Sequence, residues 1–204
     1  MIRNSQYLMH AEENDKFASC SFIDQHAALQ YLLDEHILLM VDWKGEEQEF
    51  MIGQFFQQRI LVLTTENKLN IEAPYAKLST EQSKSNFLPG DAIPFLLKEF
   101  QKQLKPVGLA IVLLDLGNDS YYIGLSHQGD LKKITSNKPG TWPYVAFGSK
   151  TGEVLYTVNC SCGSMNVWQL KRGELLTDDY CQDCGKELFD KAGKASMPVI
   201  KDYI

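Results

Sequence analysis

The chain changes its hydrophobic period several times, and each change marks an element. Behind Asp24, a good N-cap residue, Ala27, Ala28, Tyr31 and Leu32 recur at helical spacing and predict an amphipathic helix over 24–35. Positions 37–43 form a nearly unbroken apolar run that stops at Lys44-Gly45, the pattern of a buried strand. Over 46–58 the signal is double. The acidic start suits a helix N-terminus, while Gly53 and the aromatics Phe50, Phe55 and Phe56 also suit a strand; helix is the preferred expectation. The stretch 60–65 is rich in β-branched residues and predicts a short strand, and the polar stretch 66–86 predicts a long loop with at most one extended piece.

Leu88-Pro89-Gly90-Asp91 opens a second helix. Pro94 fits its first turn, Phe95, Leu96, Glu99, Phe100 and Leu104 follow the 3.6-residue period, and Pro106-Val107-Gly108 stops it. Strands at 108–115 and 121–126 flank the turn Gly117-Asn118-Asp119-Ser120 as a hairpin. Two more are expected at 144–147 and 153–158, joined by Gly148-Ser149-Lys150-Thr151-Gly152. Helices mixed with hairpins predict an α+β fold: a mainly antiparallel sheet with two or three helices in a domain over 1–150, then a small module over 151–204 that includes a short tail.

Composition narrows the class. Of 204 residues, 44% are apolar and 23% charged, the balance of a globular protein. The net charge of -6, with basic residues only in short pairs such as Lys132-Lys133, argues against nucleic acid as the main ligand, because displacing phosphate counterions needs a basic face. The first fifteen residues are polar where a signal peptide would be apolar, and no stretch reaches the roughly 18 apolar residues of a membrane span. A cytoplasmic protein is expected, in which cysteines serve as metal ligands or free thiols rather than disulfides.

Four of the five cysteines are paired: Cys160 and Cys162 in NCSCGS, Cys181 and Cys184 in YCQDCGK, with eighteen residues between the pairs. Zinc takes four soft or borderline ligands in a tetrahedron, and thiolates on tight turns supply them. Gly163 and Gly185 each follow the second cysteine of a pair, where such a turn calls for positive φ. Residues 167–170 and 175–176, with Lys171-Arg172-Gly173-Glu174 between them, predict a hairpin that brings the pairs together, with Trp168 on its apolar face. The segment 153–190 resembles a zinc ribbon. Its second pair has the usual C-x-x-C-G form and its first is one residue shorter. A full set of thiolates leaves no position for water, so one structural zinc is expected on Cys160, Cys162, Cys181 and Cys184. A redox dithiol at Cys181 and Cys184 is the other reading, though no βαβ pattern surrounds it.

No phosphate-binding, dinucleotide, nucleophile-elbow or zinc-protease motif occurs. His10, His26, His36 and His127 form no cluster in sequence, Cys20 has no nearby histidine and is expected as a buried or partly buried thiol, and Asp115 and Asp119 suit turn roles. The segment 114–123 resembles the Gly-Asp/Asn-aromatic hairpin of SUKH-type bacterial immunity proteins. The resulting expectation is a non-catalytic, zinc-containing protein-binding protein, in its most specific form an immunity protein that neutralises a basic toxin domain. Its binding face would be the acidic run of Glu12, Glu13, Asp15, Asp24, Asp34, Glu35, Asp42, Glu46, Glu47 and Glu49, which meets only Arg3, Lys16 and Lys44. The alternatives are a nucleic-acid-associated regulator using the zinc ribbon and an enzyme with an interdomain site.

Overall fold

The strand Leu109–Leu114 (β2) is apolar at every position, LAIVLL, because both faces of its sheet are covered. In the computed structural model, which describes residues 3–64, 69–83, 87, 90–136, 138–149, 153–171 and 173–203, β2 lies inside a four-stranded antiparallel sheet. Its neighbours are Leu39–Asp42 (β1), Ser120–His127 (β3) and Tyr144–Ala146 (β4), in the order β1-β3-β2-β4. The described chain divides into two compact units, Met1–Gly148 and Ser149–Ile204, and this sheet belongs to the first.

Alternate residues of β2 and β3 serve two separate cores. Leu109, Ile111, Ile123 and Leu125 join the cluster built by helices Met51–Leu63 (α3) and Ala92–Leu104 (α5). Val112, Leu114 and Tyr122 face the other way, onto Leu8, Leu32, Leu38 and Trp142. Gly124 permits that second contact, since a Cβ there would lie 3.0 Å from Leu38 Cδ2 and 3.1 Å from Leu8 Cδ2. Burying each such leucine or phenylalanine stabilises the fold by roughly 1.5–3 kcal/mol.

The helices reward and correct the pattern reading. Gln25–Asp34 (α2) forms as predicted, with Asp24 Oδ1 accepting the Ala27 N–H at 2.8 Å. The helix α5 buries Leu96, Glu99, Phe100 and Leu104, its predicted face, and Gly108 ends the following turn at φ 77°. Among the described residues there are six α-helices rather than two or three; Ala11–Ser19 (α1), Glu72–Gln82 (α4) and the short Leu131–Ile134 (α6) complete the set. Of the strand predicted at 60–65, residues 60–63 are the C-terminal end of α3, where Phe56, Arg59 and Ile60 continue one buried helical stripe, and residue 65 lies outside the described residues; burial along that stripe overrides the local β preference. The loop predicted over 66–86 contains α4, which escaped notice because only Pro74 and Leu78 are buried on it. Parts of that prediction, 66–68 and 84–86, and Leu88-Pro89 lie outside the described residues.

Two predicted surface carboxylates are drawn inward. Arg59, on α3, is buried and gives Glu13 a bidentate pair at 2.5 and 3.0 Å and the Leu8 carbonyl a bond at 2.6 Å. Its Nε is buried without a partner among the described residues. Burial pushes the Glu13 carboxyl up, but the Arg59 hydrogen bonds and charge outweigh it and hold Glu13 below the ordinary value. Glu46 caps α3 from a distance, accepting the Ile52 N–H at 2.5 Å and the Tyr75 O–H at 2.7 Å. Its burial outweighs these bonds and raises its pKa.

In the second unit, Glu153–Asn159 (β5) pairs antiparallel with Met165–Lys171 (β6) and with Ile200–Tyr203 (β9), in the order β6-β5-β9. A separate ribbon joins Asp179–Tyr180 (β7) to Glu187–Phe189 (β8). The strand β6 therefore pairs back to β5, and residues 175–176, predicted as its hairpin partner, are not in a strand. The strands β4 and β5 form where two strands are predicted and belong to different sheets, and 150–152 of the segment that joins them lie outside the described residues.

A four-thiol candidate metal centre

Each cysteine pair occupies the turn of a β-ribbon. Cys160 and Cys162 lie between β5 and β6, and Cys181 and Cys184 between β7 and β8. The two turns use the same bonds one residue apart. In the first, the Cys160 N–H donates to Ser164 O at 2.8 Å and the Gly163 N–H to Cys160 O at 2.9 Å. In the second, the Cys181 N–H donates to Lys186 O at 2.8 Å and the Gly185 N–H to Cys181 O at 2.9 Å. The shorter C-x-C pair thus forms the same knuckle with one residue fewer. Gly163 at φ 95° and Gly185 at φ 69° supply the left-handed exit from each turn.

The four sulfurs converge. All lie within 4.8 Å of one another, with Cys160 Sγ 3.6 Å from Cys184 Sγ and Cys162 Sγ 3.7 Å from Cys181 Sγ. Cys160 and Cys181 are buried and Cys162 and Cys184 exposed, so each close pair joins an inner to an outer sulfur. The group could hold a metal ion, and among the described residues it is the one histidine, cysteine or carboxylate cluster with that geometry.

The knuckle amides favour negative charge on the inner sulfurs. The Cys162 N–H chiefly lowers the Cys160 pKa, and the Cys184 N–H, against burial and with help from the Asp183 N–H and Asn166, draws Cys181 down to about 6. At Cys162 the Ser164 N–H lowers the pKa, but hydrogen bonds with Cys184 and Cys160 outweigh it and push the thiol up to about 12. Four thiols this close compete for ionisation, and a divalent cation at their centre removes the competition. Beneath the site, Val158, Leu176, Leu188 and Phe189 form the unit's small core. Trp168 covers it as the pattern predicts, edge-on to Phe189 with ring centroids 5.4 Å apart.

The remaining predicted chemistry stays dispersed. His10, His26, His36 and His127 are all exposed; His26 lies in the first turn of α2 and His36 just past its C-terminal end. Cys20 is exposed rather than buried, because α1 ends at Ser19 and the chain beyond it runs over the surface. Asp115 accepts the Gly117 N–H at 3.0 Å in an Asx turn, the role its position predicts. A shallow cleft of about 370 Å³ between Trp43 and Tyr121 carries one carboxylate, Asp119. No helix among the described residues is long and apolar enough to cross a membrane.

Sequence reasoning missed Asn166. This inward residue of β6 is buried and bonded to both knuckles, and the in-out alternation of β6 was the available signal.

The fold and site define an α+β protein that carries a small, β-rich four-cysteine unit. The chain belongs to the family described as a domain of unknown function, DUF6630, whose model matches residues 2–136. The matched segment ends before the cysteine unit begins. No curated protein and no solved structure matches the chain.

Proposed function

We propose that the second unit is a zinc-ribbon-like module stapled by one structural zinc on Cys160, Cys162, Cys181 and Cys184. The sulfur separations carry this reading. A tetrahedron with metal–sulfur bonds of about 2.3 Å has edges of about 3.8 Å, and the observed close pairs are 3.6 and 3.7 Å apart. Four thiolates close the coordination sphere, which supports a structural rather than a catalytic ion. Reduced thiols of this kind suit a reducing compartment such as the cytoplasm. Metal analysis of the purified full chain should find about one zinc per chain and no visible absorbance, and Cys181→Ser should release the metal. A folded, metal-free protein with four titratable thiols would refute the proposal. A coloured, iron-containing protein would refute zinc while keeping the site.

The first unit, on this reading, works without catalysis by binding a basic protein, in its most specific form a bacterial toxin that it neutralises as an immunity protein. Support comes from Glu12, Asp15, Asp24, Asp34, Glu35, Asp42, Glu47 and Glu49, all exposed on that unit. Glu13 and Glu46 are not part of such a face, since each has an internal partner. Replacing Asp42, Glu47 and Glu49 by Lys should slow association with a co-purifying basic protein and flatten its salt dependence. Unchanged association rates would exclude this surface.

A further inference from the structure

We propose that Asn166 is the positioning residue that locks the two cysteine knuckles together and tunes the metal centre through Cys181. The inference rests on the metal reading above and extends it to a residue outside the ligand set. Asn166 follows the first knuckle on β6 and points inward, with 3% of its surface exposed. Its Nδ2 donates to Ser164 O at 3.4 Å, on its own knuckle, and to Cys181 Sγ at 3.6 Å, on the other. Its Oδ1 accepts the Gln182 N–H at 3.1 Å, also on the other knuckle. A primary amide has two N–H donors and one carbonyl acceptor, and all three are engaged.

The spacing explains why an amide is needed. Residues 166 and 181 lie fifteen apart in sequence, and between them, among the described residues, the chain leaves β6 and forms no strand until β7. The two knuckles belong to separate ribbons whose backbones, among the described residues, are not paired in one sheet. Asn166 supplies the missing cross-link from inside, while Lys186 Nζ, which reaches Ser161 Oγ at 3.1 Å, supplies an exposed one. An inner cross-link excludes water and holds the sulfur at a set position. Donation to a thiolate also removes charge from it, as outer partners of metal ligands commonly do. Aspartate at this position would keep the shape and the Gln182 bond but lose both donors and bring a carboxylate beside the sulfur. Leucine would keep the volume and lose every bond.

The test uses the full chain loaded with zinc or with cobalt(II). Zinc affinity is read by competition with a chromogenic chelator, and sulfur donation by the position of the sulfur-to-cobalt charge-transfer band. Asn166→Leu and Asn166→Asp should each weaken zinc binding roughly 10- to 100-fold. Both should move the band to longer wavelength, the Asp variant further, because the sulfur lone pairs lose a stabilising donor. Val158→Ala, a cavity in the same core, should weaken the unit without moving the band. If Asn166→Leu does not fold, the shape-preserving Asn166→Asp carries the test. Wild-type affinity and band position in the Asp variant would overturn the proposal, as would an equal band shift in Val158→Ala. Wild-type protein that takes up neither metal would overturn the metal reading itself, an outcome recognised without any Asn166 variant.

Discussion

The two units reach stability by different means. The first buries both faces of a four-stranded sheet, under α3 and α5 on one side and under Leu8, Leu32, Leu38 and Trp142 on the other. The second, among the described residues, has a smaller buried cluster of Val158, Leu176, Leu188 and Phe189 with Cys160 and Cys181. Small units expose a large share of their surface and usually need a covalent or metal staple. Where the apolar core shrinks, the sulfurs take its place, and two of them are themselves counted in the core. The difference makes the units separable in experiment.

Removing the staple should have the largest effect. Cys181→Ser, or chelation of the full chain, should abolish hydrogen-exchange protection across 153–203 and leave it intact in the first unit. Equal loss in both would show one cooperative unit and break the comparison. The converse is a core cavity in the first unit. Leu97→Ala, at a fully buried position, should lower that unit's stability by about 2–5 kcal/mol in urea unfolding while zinc content stays at the wild-type level.

Charge inside the first unit gives a smaller and pH-dependent effect. Glu13→Ala leaves Arg59 buried with the Leu8 carbonyl as its remaining hydrogen-bond partner among the described residues and should cost about 3 kcal/mol at neutral pH. Because Glu13 is held below its ordinary pKa of 4.5, its contribution is fully present above that value and disappears as pH falls through the lowered folded pKa. Wild type and variant should therefore converge in acid. Glu46 gives the smallest effect, with the opposite sign. Its pKa is raised by burial, so its ionisation opposes folding as pH rises through the folded value. Glu46→Gln, which keeps a carbonyl to accept from Ile52 and Tyr75, should match or exceed wild-type stability at neutral pH and lose that advantage in acid. Parallel pH curves for the Glu13 and Glu46 variants would contradict both assignments.

Much of the architecture was legible because pattern and burial agreed. The helix α5 is amphipathic, and its buried face matched the spacing of Phe95 to Leu104. Asp24 capped α2 as its side chain dictates. The paired Cys-Gly turns marked all four sulfurs of the cluster. Failures occurred where the local signal was ambiguous or weak. The run 60–63 has the composition of a strand but completes a helical stripe begun at Phe55 and Phe56, and α4 buries too little for its period to stand out.

The sequence by itself determined the local events: the caps, the β2–β3 hairpin, the positive-φ glycines and the donor set of the thiol cluster. Each depends on residues a few positions apart, whose geometry is limited by sterics and short-range hydrogen bonds. Only the tertiary structure decided which distant groups meet. It paired β6 with β5 rather than with 175–176, placed Arg59 against Glu13 forty-six positions away, and set Asn166 between the two knuckles. Those choices follow from closing both faces of a sheet while giving most buried polar groups a partner, and no local window of sequence contains that condition.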